Sequence, residues 1–224
     1  MKLKTISSHQ MREIEVRSEV EFGMSALMLM ENAGRSVAEH ILSINAFKLL
    51  SVIVICGPGN NGGDAAVAAR HLYLAGRKVT VVICGRKSAS NRSSAPSEVN
   101  LGIVRKMNLV AGQSMPLEKI LRAKNKSFVL DGLFGTGLNR KLSESLNRVV
   151  DTINHSNRMV YSIDIPSGIH ADTGEIMGAH IQSDYTGALA YVKQGLMLKA
   201  GSRASGKITV LPIGLPMQKV SYDY

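Results

Sequence analysis

Residues 49–72 read LLSVIVICGPGNNGGDAAVAARHL. A continuous apolar run, strand-like over 51–56, stops at Gly57-Pro58-Gly59 and two asparagines, Asn60 and Asn61. Gly62, Gly63 and Asp64 then lead into an alanine-rich, helix-like run. Strand, glycine turn and helix make the first half of a βαβ unit, and a run apolar at every position belongs to a strand buried on both faces. The same alternation extends outward. Strands are predicted at 51–56, 78–84, 127–131, 159–164 and 208–213, and helices at 8–22, 24–44, 63–75, 97–107, 116–124 and 142–155. Leu27, Met30, Ala33, Val37 and Ile41 make one apolar face at helical spacing, as do Leu142, Leu146, Val149, Val150 and Ile153. The expected fold is therefore α/β, a mostly parallel central sheet covered by helices on both faces. No repeat or boundary interrupts it, so 1–224 reads as one domain. The low-complexity stretch RKSASNRSSAPS at 86–97 is expected to be a mobile surface loop.

Composition narrows the function classes. A hydrophobic fraction of 45% and a mean hydropathy of +0.05 describe an ordinary globular protein. The opening residues mix Lys with Glu13, Glu15, Glu19 and Glu21, unlike a signal or transit peptide, and the longest apolar runs are too short for a bilayer. A cytoplasmic protein is expected. Cys56 and Cys84 end predicted strands without CxxC spacing and read as small core residues. The net charge of +10 favours anionic partners in general, but its clusters at 86–92, 122–126 and 139–141 fall mostly in loops. Aromatics at 4% and no Trp leave little to stack exposed bases, which disfavours single-stranded nucleic acid.

The turn 57–62 formally fits the dinucleotide pattern G-x-G-x-x-G. A ribose-binding acid should follow some twenty residues on. Between Asp64 and Glu98 there is no acidic residue, which disfavours a conventional NAD dehydrogenase and leaves an NADP-type oxidoreductase as the minority reading. Asp64 is read first as a cap for the helix from 65 onward. Two further strands end in polar loops, Asp131-Gly-Leu-Phe-Gly-Thr-Gly-Leu-Asn-Arg140 and Asp164-Ile-Pro-Ser-Gly168. Ligands of open α/β sheets bind outside the carboxyl ends of the strands, so three such ends on one edge make a site. Gly135, Thr136 and Gly137 let backbone amides approach an anion, with Arg140 as counter-charge. Asn61, Asp131 and Ser167 offer oxygen ligands suited to a hard cation of low charge. Asp164 is either a general acid/base or a structural carboxylate holding the amides of 167 and 168.

With these loops in view, the chain resembles the YjeF N-terminal domain family of NAD(P)H-hydrate epimerases. The matching stretches are LMENAGRSVAEHI (29–41), GPGNNGGDAAVAARHL (57–72), DGLFGTGLNR (131–140) and SIDIPSGIHADTGE (162–175). A weaker match follows in YVKQGL, within a stretch that keeps Thr186, Lys193 and Gly195, and in ITVLPIGLP. The resemblance implies a Rossmann-like three-layer αβα sandwich, usually dimeric, that interconverts the R and S forms of hydrated NADH and NADPH. A separate ADP- or ATP-dependent dehydratase would then restore the S form. It implies hydrate contacts by Asn60, Asn61, Gly62, Gly63 and Asp64, and by Gly135, Thr136, Gly137, Leu138, Asn139, Arg140 and Lys141. It further implies a potassium ion on Asn61, Asp131 and Ser167, with Asp164 touching the substrate beside the reacting ring. Asp164 would then protonate the C6 hydroxyl and stabilise the resulting iminium ion; ring opening and reclosure is the alternative route. Ala65 and Gly132 depart from the family's habitual Gly and Ala. The same fold also serves as a non-catalytic dimeric scaffold for RNA or a protein partner, which has no need of Asn61, Asp131, Asp164 and Ser167 together.

Overall fold

The computed structural model describes residues 4–85, 95–112 and 116–216; of the serine-rich stretch 86–97, the first nine residues lie outside that description. In chain order the elements are β1 (Thr5–Ile6), α1 (Ser8–Phe22), α2 (Ala26–Ser43), β2 (Ser51–Cys56), α3 (Asn60–Leu74), β3 (Val79–Ile83), α4 (Pro96–Lys106) and α5 (Leu117–Leu121). They continue as β4 (Ser127–Gly132), α6 (Glu144–Asn154), β5 (Val160–Ile163), β6 (Tyr185–Leu189), β7 (Val192–Lys193), α7 (Gly201–Ala204) and β8 (Lys207–Leu211).

Among the described residues the main sheet has six strands in the order β3-β2-β4-β5-β6-β8, every pair parallel. Alternation along β2 divides the core into two layers. Val52, Val54 and Cys56 pack with Leu29 and Val37 of α2, Ala65 and Ala69 of α3 and Val104 of α4. Ile53 and Ile55 pack with Ile120 of α5 and Val150 and Ile153 of α6. The α/β class and three layers expected from the sequence are thus observed. The chain runs from β2 to β3 on one side, then crosses to β4 on the other. Strand order reverses there, and the carboxyl ends of β2 and β4 flank the resulting crevice.

Three of the departures from expectation bear on the site and the sheet. First, α3 begins at Asn60, three residues early, so Asn60 to Gly63 form its first turn. Gly59 occupies the cap position with no side-chain cap, and Asp64 lies one turn inside the helix instead of capping it. Second, β6 joins the sheet between β5 and β8, although Tyr185-Thr-Gly-Ala-Leu189 lacks an apolar strand pattern. Third, β5 ends at Ile163, because Asp164 turns into the left-handed region at φ 67°.

Helix α1 forms outside the sheet and is pinned at its start. Ser7 Oγ accepts the Gln10 N–H at 3.1 Å while the Gln10 side chain accepts the Ser7 N–H at 2.8 Å, a reciprocal capping box. The Asp172 carboxylate accepts the Ser8 N–H at 2.6 Å and the Ser8 hydroxyl at 2.8 Å, tying α1 to the loop after β5. Gly23, in the left-handed region at φ 69°, ends α1.

Candidate functional site

The first turn of α3 lies tightly over the end of β2. A side chain at Gly62 would put its Cβ 2.0 Å from the Gly57 carbonyl oxygen, and one at Gly63 would meet Met30 Sδ at 2.5 Å. Gly62 sets how closely α3 approaches the turn after β2, Gly63 how closely it packs on α2 and α4, and neither lines the crevice. Their backbone carries Asn60, Asn61 and Asp64 to its edge, where the unpaired amides of a helix N-terminus suit an anion.

The crevice is a cleft of about 530 Å³. Of the residues anticipated from the sequence, Asn60, Asn61, Asp64, Gly135, Thr136, Gly137, Leu138 and Asp164 line it. Asn139, Arg140 and Lys141 are exposed and lie outside its lining. Four charged cleft groups carry no role from the sequence: Arg12, Glu15 and Glu19 on α1, and Lys193 on β7. Lys193 had been visible as a matched letter in YVKQGL, without a role. Nothing local marks Glu15, which becomes a cleft residue only because α1 packs across the opening.

Asp164 is held from several directions. Its N–H donates to the Gly187 oxygen at 2.8 Å, and its Oδ1 accepts the Leu189 N–H at 3.2 Å. The same Oδ1 accepts a hydrogen bond from the Lys193 ammonium, which also donates to the Leu189 carbonyl at 2.6 Å. Lys193 is 1% exposed, so this is a buried ion pair with both charges hydrogen-bonded. The connecting residue Ala190 sits at φ 59°, a conformation costing an L-residue roughly 1–2 kcal/mol. The turn is bent so that Lys193 returns to Asp164.

Asp64 is buried but unlike Asp164 in its surroundings. Among the described residues no donor reaches its carboxyl group, and burial pushes that group well above the usual carboxylate range. Asp164 and Glu15 push it further, and Lys193 opposes them. Burial likewise raises Glu15, with Asp164 adding to the shift and Lys193 and Arg12 countering it.

Asp131 and Ser167 sit behind the cleft. Asp131 Oδ1 accepts the Ser167 hydroxyl at 2.6 Å and the Leu133 N–H at 3.1 Å. Oδ2 accepts the Ser162 hydroxyl at 2.8 Å and the Ser167 N–H at 3.0 Å. Burial raises this carboxyl and those hydrogen bonds draw it back. The amide of Ser167 is therefore held by Asp131, not by Asp164. Ser167 Oγ also accepts the Phe134 N–H at 2.9 Å, which ties the loop after β4 to the loop after β5.

The third expected cation ligand, Asn61, leaves its buried Nδ2 without a hydrogen-bond partner, and its Oδ1 would stand 3.3 Å from a Cβ at Gly135. Side-chain amide ends exchange without disturbing the packing. With oxygen turned to the unpartnered position, Asn61 gains the contact it lacks from a cation. One carboxylate, one amide oxygen and one hydroxyl are hard, weakly charged donors. By donor type, these residues fit such an ion.

The family model described as YjeF-related protein N-terminus matches residues 26–195. The chain is 35% identical to an NAD(P)H-hydrate epimerase of Weissella koreensis, with 94% of this chain and 91% of that protein covered. It is 34% identical to an NAD(P)H-hydrate epimerase of Elusimicrobium minutum, with 98% and 99% covered. A bifunctional NAD(P)H-hydrate repair enzyme of Thermofilum pendens is 36% identical over 96% of this chain, which spans 41% of that longer protein. The crystal structure of the yeast protein ynu0 superposes with a TM-score of 0.78 at 24% identity, covering 99% of this chain and 95% of that one, a likeness of fold.

Proposed function

The chain belongs to the family of YjeF-related protein N-termini, and we propose that it interconverts the R and S forms of hydrated NADH and NADPH. The observation that carries this reading is the convergence of three separate strand ends on one cleft. Asn60, Asn61 and Asp64 come from the end of β2, Gly135 to Leu138 from the end of β4, and Asp164 from the end of β5. Relatives named NAD(P)H-hydrate epimerase that match along almost their whole length support it.

In this assignment the hydrate lies across the Asn60–Asp64 turn and the loop 135–141. Gly62 and Gly63 contribute by letting α3 pack closely on the turn after β2 and on its neighbouring helices, and Asn139, Arg140 and Lys141 lie beyond the cleft lining. The ring nitrogen's lone pair expels the C6 hydroxyl once an acid protonates it, leaving a conjugated iminium cation. The Asp164 carboxylate, fixed by Lys193 and the Leu189 amide, stabilises that cation through preorganised charge. Water returning at C6 on the other face completes the inversion. Asn61, Asp131 and Ser167 would hold a potassium ion, which supplies positive charge near the loops. We assign the protein to the cytoplasm, as one domain spanning 1–224, working as a homodimer beside an ADP- or ATP-dependent dehydratase. Among the described residues no helix is long and apolar enough to cross a membrane.

A coupled assay tests the reading: purified R hydrate, an S-specific dehydratase with its nucleotide, and recovery of NADH absorbance in potassium buffer. Adding the protein is expected to accelerate recovery. Recovery at the uncatalysed rate with folded protein would overturn the epimerase and leave the binding scaffold.

A further inference from the structure

Two of the carboxyl groups that line the cleft, Asp64 and Asp164, are in opposite electrostatic situations. Asp164 pairs with an ammonium and takes a backbone amide on Oδ1, leaving Oδ2 without a hydrogen bond from the described residues. Asp64, 8% exposed, takes no hydrogen bond from any described residue. A buried carboxylate that takes no hydrogen bond is costly to keep charged, which favours its protonated form. The other charged groups lining the cleft are Arg12, Glu15 and Glu19 of α1, and Lys193, whose ammonium is already engaged by Asp164.

We propose that Asp64 and Asp164 work as an acid/base couple, Asp64 delivering a proton to the departing C6 hydroxyl and Asp164 taking one from the water that returns. The assignment rests on the epimerase reading above. Inversion by departure and return requires a proton to be given where the hydroxyl leaves and removed where water enters. In the first step the proton passes from Asp64 to the hydroxyl oxygen, the C6–O bond breaks, water departs and the nitrogen lone pair forms the C=N bond. In the second, water oxygen bonds to C6, the C=N pair returns to nitrogen, and the surplus proton goes to Asp164 Oδ2. One turnover moves one proton from Asp64 to Asp164, and no oxidant or reductant is needed. The exchanged state is the one that runs the reverse inversion, and proton exchange with cleft water restores the resting state. Two carboxyls of opposite protonation are what a reversible epimerase needs.

The test combines Asp64→Asn with two readouts. In the coupled assay, Asp64→Asn is expected to lower kcat at least 100-fold, the scale of a lost general acid, while NADH used as a non-reacting probe keeps its Kd. The wild-type rate should fall on the alkaline side as Asp64 loses its proton, and the residual Asp64→Asn rate should lack that limb. Independently of turnover, the infrared difference between wild type and Asp64→Asn at neutral pH should contain the carbonyl stretch of a protonated carboxyl. Wild-type turnover with only carboxylate bands in that difference would overturn the couple and leave the epimerase standing. Asp64→Asn at near wild-type kcat would do the same. A protonated-carboxyl band in a protein that does not accelerate epimerisation would overturn the epimerase reading and the couple with it.

Discussion

Asp131 and Asp64 are both aspartates buried beside the same crevice, yet the protein treats them oppositely. Asp131, at the end of β4, accepts hydrogen bonds on both oxygens from Ser162, Ser167 and the Leu133 amide, and it joins two loops. Asp64, one turn into α3, has no donor at all among the described residues and looks into open space. A saturated carboxylate holds structure. An unsatisfied one costs stability, and its position in a cleft is where such a cost serves chemistry. The Asp164–Lys193 pair lies between the two: fully engaged on one oxygen, available on the other.

Substitutions that exchange these situations break the comparison where it is wrong. The largest effect is expected from Asp131→Ala, which strands two buried backbone amides and frees two loops. At about 1–3 kcal/mol per unsatisfied group, the loss should reach about 2–6 kcal/mol by denaturant unfolding. A loss below about 1 kcal/mol would mean that the network is not structural. Next comes Lys193→Met, which leaves Asp164 buried without its partner; about 3–5 kcal/mol is expected from broken buried pairs. Activity should fall further than folding explains, because the carboxylate facing the ring would lose the ammonium that fixes it.

The smallest effect is the most discriminating. Burial raises the Asp64 carboxyl in the folded protein, so as pH rises past the ordinary carboxylate range the unfolded chain releases that proton first. The folded state then binds more protons than the unfolded one, and stability falls with rising pH. The contribution is full below that range and is lost as pH rises through the folded value. Asp64→Asn should remove this slope, so its thermal midpoint should gain on wild type from pH 5 to pH 9. Glu15 and Asp131 have the same sign but remain in both proteins, so the difference isolates Asp64. Parallel curves would show that Asp64 is already ionised in the folded state.

Most of the fold was legible because it rests on local pattern. Strand β2, the turn at 57–63 and the amphipathic faces of α2 and α6 follow from periodicity and glycine placement. Strand β6 was not legible: Gly187 and its small neighbours carry little strand propensity. The segment is a strand because β5 and β8 pair with it, and because the Tyr161 ring fills the place of the Gly187 side chain, whose Cβ would lie 2.3 Å from the hydroxyl oxygen. The start of α3 was misplaced for a related reason. Two glycines and two asparagines read as a turn, but close packing on Gly57 and Met30 makes them helical.

The site divides along the same line. Residue types and their position after strands suffice for an α/β fold with its polar ends on one edge, and they single out Asn61, Asp64, Asp131, Asp164 and Ser167. Their roles came from packing in three dimensions. It paired Asp164 with Lys193, brought Glu15 in from α1, saturated Asp131 and left Asp64 bare. Hydrogen-bonding capacity belongs to a residue, but whether it is filled depends on neighbours far apart in the chain. A carboxyl group's protonation follows from those neighbours and from burial.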